Sequence, residues 1–402
     1  SFDVNPGGRD VKMTIQNNII KNLERYGVLA DGVTPAVALA GTDVSHNKID
    51  NLPSGNNFGG GRGRAIAFEE NHYGSATYNV ISRVNVGWQD DNYYLASPGA
   101  GTVVDNNTIS TYHRGIFHNL QYSNATDATI SNNNISVETS GDFPASTTNF
   151  GVELASIQSA VGATVTNNNS TGNTYGILLW NLPTSTNINV SGGTLSGNQY
   201  GVMATSNDPQ FGAAAASNST VSGLNITGST VAGIAVDNSS NIAAVNLTIK
   251  DDCEIVGTGQ LLTGISVLGA NAHATVQDND ASIHGFAIGI DVDGGSATIT
   301  NNHIYDNGIG VRFTNAGAGT VNDLNNFDGG GDPDNGVDIQ ATASAGIVTA
   351  TPNNSFAGDT YGIENLSATD IDASNCYWES ATGPGPVALG SGTPITTKVI
   401  YC

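Results

Sequence analysis

The chain has 402 residues, with 12 Lys or Arg against 35 Asp or Glu and a net charge of −23. So acidic a surface repels nucleic acid and anionic membrane, and no apolar run reaches the ~18 residues needed to span a bilayer. The 51 glycines and only 12% charged residues fit a turn-dense ordered chain better than a disordered one.

In residues 1–50, Thr14-Ile15-Gln16-Asn17-Asn18-Ile19 leads to Gly27-Val28-Leu29-Ala30, and Val44-Ser45-His46-Asn47-Lys48-Ile49 begins the pattern again. The unit reads as a strand, an asparagine corner and a second strand that starts at a glycine. The opening residues do not read as a signal peptide, so a mature or trimmed chain is expected. Phe2 and Val4 precede the first copy without an amphipathic helix to cover it. An uncovered parallel strand exposes backbone groups that pair readily. The lead is therefore expected to dock on another copy, and a head-to-tail or lateral contact that does not close makes filaments.

Residues 51–100 break the rhythm. Asn56 to Arg64 reads as a loop and lacks the Gly-Lys-Ser/Thr ending of a phosphate cradle. Trp88-Gln89-Asp90-Asp91-Asn92-Tyr93-Tyr94 reads as a second excursion, and loops on a regular scaffold are where function concentrates. Nine of the 12 basic residues lie between Arg9 and Arg114, so the acidic excess falls later in the chain. Tyr112-His113-Arg114-Gly115-Ile116-Phe117-His118 carries a candidate general base and a carboxylate-neutralising group, with His113 and Arg114 as the candidate catalytic pair. Strand alternation would send those two to opposite faces.

From residue 101 to 372 the repeat is regular. Glycine strands start at Gly151, Gly176, Gly201, Gly233, Gly264, Gly289, Gly310, Gly336 and Gly362. A period of about 20–30 residues built from short strands and polar corners signals a solenoid. In Gly289-Ile290-Asp291-Val292-Asp293 the apolar and acidic residues alternate, as in a half-buried strand. Corner asparagines tolerate the left-handed backbone and can pass amide hydrogen bonds from coil to coil. Alternation predicts an outward column of Glu153, Leu178, Met203, Ala235, Ser266, Asp291, Arg312, Asp338 and Glu364. In it, Arg312 would sit between Asp291 and Asp338. With Asp293 these form either a surface charge ladder or an acid–arginine site for a uronic acid. Glu153, Leu178, Trp180 and Met203 read as an outward patch for a glycan, a covering loop or a partner subunit. Asp328, Asp332, Asp334 and Asn335 place oxygen ligands on one Gly/Pro loop, a calcium candidate or a plain turn. Calcium is the one cofactor these residues suggest.

Residues 373–402 change texture. Cys376 and Cys402 bracket the segment and are expected to form a disulfide contributing about 3 kcal/mol, with two free thiols as the alternative. Cys253 stands between carboxylates and reads as a small buried residue.

The repeat resembles right-handed parallel β-helix proteins, the pectate-lyase-like superfamily with its carbohydrate-binding and sugar-hydrolase relatives, over roughly Asp10 to Ile371. Cys376-Tyr377-Trp378-Glu379 followed by Gly383-Pro384 is similar to the Asn-Tyr-Trp-Gly…Gly-Pro closure of secreted bacterial β-helices. Here Cys376 stands where Asn is usual, and Tyr377 and Trp378 would cover the last coil. The resemblance implies an all-β, single-stranded right-handed parallel β-helix of about 13–15 coils over residues 1–372, capped by 373–402. The Arg-x-Pro-x-x-Arg of pectate lyases and the Asp-Pro-His of mannuronan epimerases are absent. The expectation is a secreted or cell-surface structural or adhesive protein, filament-forming and glycan-binding, whose partners are further copies of itself or extracellular polysaccharide. The alternative is a polysaccharide lyase, epimerase or glycoside hydrolase with its site on an exterior face.

Overall fold

A computed structural model describes residues 2–4, 13–21, 26–31, 41–50, 63–69, 74–91, 102–119, 128–139, 148–155, 163–180, 188–206, 217–240, 243–259, 262–385 and 390–401. These contain strands and no helix. Residues pair in parallel with their counterparts one coil on, as Thr298 does with Thr275 and Thr320. The chain is a parallel β-helix, as the repeat implies. It forms two compact units, one of residues 1–202 with 210–219 and one of residues 203–209 with 220–402.

Each coil has three strand segments, where the sequence pattern suggested two. Ser296–Tyr305 bends at Asn301 and Asn302, and a second corner at Asp306-Asn307 leads into Ile309–Thr314. The short middle segment, His303 to Tyr305, is too brief to announce itself by alternation. On the glycine face, seven strands follow one another in the first unit, from Phe2–Val4 to Tyr175–Trp180. Six do so in the second, from Ala232–Asp237 to Tyr361–Asn365.

The two corner asparagines do different work. The first adopts the left-handed region, with φ of 58° at Asn17, 56° at Asn106 and 51° at Asn301. The second turns inward and is buried. Asn302 Nδ2 donates to Asn325 Oδ1 at 3.1 Å, and Asn325 Nδ2 to Asn354 Oδ1 at 2.9 Å. In the first unit the same line runs through Asn18, Asn47, Asn79, Asn107, Asn133 and Asn168. Each amide also satisfies backbone groups that would otherwise be orphaned inside the corner.

The inward side of the glycine face is apolar and closed. Ile265, Ile290, Val311, Ile339 and Ile363 line up from coil to coil, all fully buried. Burying each such side chain contributes about 1.5–3 kcal/mol. The glycines are required by close approach. A Cβ on Gly264 would lie 2.5 Å from the carbonyl oxygen of Gly289, and one on Gly289 2.7 Å from that of Gly310.

One coil departs from this rule. Val337 pairs with Ile309 and Ile339 with Val311, so Asp338, not Gly336, occupies the glycine position. Asp338 is fully buried. Its Oδ2 accepts the Ala357 and Gly358 N–H groups, both at 2.8 Å, and its Oδ1 accepts Asn335 Nδ2 at 3.0 Å.

Towards the C-terminus, Phe327, Phe356 and Trp378 stack at 5.5 and 4.6 Å, and Trp378 is buried as expected of a closure. Tyr377 is not part of it, being 56% exposed.

Candidate functional site

In the second unit the outward column of the glycine face runs Ala235, Ser266, Asp291, Arg312, Gln340, Glu364. Gln340 stands where Asp338 was expected. Asp338 is thereby removed from the candidate catalytic group, because it lies beneath the face and has no access to a ligand. Arg312 forks onto Asp291, Nε to Oδ1 at 2.9 Å and Nη2 to Oδ2 at 2.8 Å. The hydrogen bonds that it donates to Asp291 hold the Arg312 guanidinium above its ordinary pKa, against the opposing effect of burial. Gln340 Nε2 donates to Glu364 at 2.6 Å, and Asn315 Nδ2 to Asp293 at 2.8 Å. Asp291, Asp293, Arg312 and Glu364 thus each have a partner within the protein.

The first unit carries a different arrangement. Arg114 Nε donates to Glu153 Oε2, which joins two residues that the sequence placed in separate groups. Glu153 is buried, 1% exposed, and Arg114 is partly open at 29%. The guanidinium lies 4.6 Å from the centre of the Phe117 ring and 5.5 Å from that of Phe150, within cation–π range. Burial pushes the Glu153 carboxyl up while Arg114 pulls it down, and burial prevails.

His113 belongs to the same cluster. Its ring meets Phe150 edge-on at 5.3 Å, and Nδ1 lies 2.8 Å from the Thr148 carbonyl oxygen. A carbonyl can only accept, so the neutral ring carries its proton on Nδ1 and presents Nε2 as a lone pair. Burial and then the Arg114 charge lower the pKa of His113. The expectation that alternation separates His113 from Arg114 is thus corrected. The strand pairing shifts register between Thr111 and Arg114, and both side chains reach Phe150. Phe117 and Phe150 were not singled out from the sequence, since Phe150 pairs with Arg114 across a 36-residue separation (150 − 114).

Of the three readings of the outward apolar patch, burial favours cover from within the chain: Leu178 pairs with Glu153 on the exterior column, yet Leu178 and Met203 are each only 6% exposed. Trp180, two residues beyond Leu178, is of intermediate exposure. Trp88, expected on a loop, is a core residue paired with Ile66 and Ile116. Residues 51–62 and 92–100 lie outside the described residues.

The calcium candidate does not hold together. Asn335 is buried in an asparagine line, accepting from Asn307 Nδ2 at 3.0 Å. Asp328 Oδ1 accepts the Gly330 N–H and Asp334 Oδ1 the Gly329 N–H, the pattern of a self-satisfied turn. Among the described residues no three His, Cys, Asp or Glu side chains gather into a metal site. Cys376 is a free thiol donating to the Ala350 carbonyl at 3.1 Å, not half of a disulfide, and Cys402 lies outside the described residues. Cys376 and Cys253 do stand at the two ends of an asparagine line. Cys253 N donates to Asn279 Oδ1 at 3.0 Å, and Asn354 Nδ2 points at Cys376 Sγ at 4.0 Å.

The fold and these exterior clusters define a parallel β-helix repeat protein. Within that class, the family model described as "Periplasmic copper-binding protein (NosD)" matches residues 155–332, less than half of the chain. No curated protein and no solved structure matches the chain.

Proposed function

We propose that the protein is an extracytoplasmic β-helix, of the periplasm or the cell surface, that serves as an adhesive or structural scaffold and binds polysaccharide on an exterior face. The observation that carries this reading is the cluster of His113, Arg114, Phe117, Phe150 and Glu153 on the glycine face of the first unit. It combines aromatic rings with charged hydrogen-bonding groups, the pairing that sugars require. The periplasmic description of the matching family supports the compartment.

The copper in that family's description is not part of this reading. Copper favours imidazole and thiolate ligands. Between residues 155 and 332, His273 Nδ1 is engaged with Ser296 Oγ and His303 Nε2 with the Asp328 carbonyl, His284 stacks on Tyr305 at 4.9 Å, and among the described residues no three His, Cys, Asp or Glu side chains gather. Cys253 is fully buried.

A second, catalytic reading is favoured by one observation, the gathering of the His113 ring and the Arg114 guanidinium around Phe150, with the His113 proton held on Nδ1. A base and a carboxylate-neutralising group are two of the requirements of a lyase or epimerase. Testing the purified protein on a glycan array, alongside an assay for cleaved or unsaturated sugar products, separates the two. Binding without turnover is expected. Turnover lost in His113→Ala would replace the scaffold by an enzyme, and an array without any binder would remove the glycan role.

A further inference from the structure

Arg114 is anchored unlike the other well-placed arginine. Arg312 spends both Nε and Nη2 on Asp291. Arg114 gives only Nε to Glu153, so that neither Nη group has a hydrogen-bond partner among the described residues. The Phe117 and Phe150 rings lie against its guanidinium, at 4.6 and 5.5 Å from the ring centres. Its buried anchor, Glu153, fixes the side chain from below, and the group is still 29% exposed. The outcome is a rigid, pre-oriented edge of N–H donors on an exterior face. Such an edge matches the two oxygens of a planar or tetrahedral oxyanion, which a guanidinium binds through paired hydrogen bonds. It also lies in the part of the chain where the basic residues are concentrated, before residue 115.

We infer that Arg114 is an oxyanion receptor, and that the polysaccharide bound on this face carries carboxylate or sulfate groups. The inference rests on the glycan-binding reading and deepens it. Glu153 then has a defined part. It holds Arg114 in place through Nε, and its own charge competes with the ligand for the guanidinium. Glu153→Gln keeps an oxygen to accept from Nε and removes the competing charge. Arg114→Lys keeps a cation and removes the paired donors.

The test measures binding of polygalacturonate, dextran sulfate and neutral dextran to the intact chain at physiological ionic strength. One or both anionic polymers should bind more tightly than dextran, and which of them does identifies carboxylate or sulfate as the recognised group. Arg114→Lys should weaken that binding about tenfold or more, the effect of losing a charge-assisted hydrogen bond. Glu153→Gln should tighten it, whereas a purely structural ion pair gives no gain. Arg312→Ala should leave it unchanged. Equal losses in Arg114→Lys and Arg312→Ala, or weakening by Glu153→Gln in a folded protein, would overturn the assignment. If dextran binds and the anionic polymers do not, the receptor falls while the glycan-binding reading stands. If neither these polymers nor any glycan on an array binds, both fall.

Discussion

Arg312 and Asp291 face each other from neighbouring coils and close a two-bond fork at 2.9 and 2.8 Å, yet the arginine side chain remains 31% exposed. Water screens a pair in that position, so its geometry promises more stability than it delivers. Arg312→Ala should cost about 1 kcal/mol or less, read from chemical denaturation. A loss several times larger would mean that the pair is shielded far better than its exposure indicates.

The adjacent Asn301 and Asn302 should respond very differently to replacement. Asn302 is buried, accepts from Asn279 Nδ2 at 2.8 Å and donates to the Val276 and Thr300 carbonyls, both at 2.9 Å. Asn302→Ala strands several buried polar groups at about 1–3 kcal/mol each, and should lower the unfolding midpoint steeply. Asn301 is a left-handed corner residue, and Asn301→Gly should be close to neutral because glycine adopts that backbone freely.

Asp338 should give stability a distinct dependence on pH. Burial holds its carboxyl well above the ordinary aspartate value, although Asn335 and two backbone N–H groups pull it down. The native state therefore keeps its proton to higher pH than the unfolded chain does. The contribution is fully present below the unfolded value and is lost as pH rises through the folded one. Denaturation followed from acid to neutral pH should show this decline, and Asp338→Asn should abolish it.

Cys253 should be inert in the folded protein. Burial pushes its thiol up to about 11, so little thiolate forms at neutral pH. Alkylation should label Cys376 first, the half-buried thiol, and reach Cys253 only on unfolding. Rapid labelling of Cys253 in native buffer would contradict the burial.

What the sequence disclosed follows from what the backbone dictates. Glycine strands and paired asparagines were legible because a Cβ collides with the next coil at one position and a left-handed corner is needed at the other. Asp338 is misleading in the sequence because Gly336, two residues earlier, looks like a strand glycine but lies in the corner. The Asn307-Gly308 and Asn335-Gly336 dipeptides would have corrected the frame, since the two asparagines are bonded neighbours. The Arg114 cluster was harder to find. Its members come from coils separated by a long insertion, and a register shift cancels the alternation that normally assigns faces.

The asparagine lines run in one direction. Asn47, Asn79, Asn107 and Asn133 each send both backbone N–H and side-chain amide to the Oδ1 of the following coil. A corner is thus completed by the segment synthesised after it. During translation the newest corner always carries unsatisfied donors, which the next coil silences as it emerges. Growth along this spine is consequently vectorial for the backbone: removing a coil from the C-terminal side of a run strips the N–H of the corner before it of its acceptor, whereas removal from the N-terminal side costs the next corner's amide one carbonyl, as Val44 O for Asn79 Nδ2, and leaves that N–H satisfied.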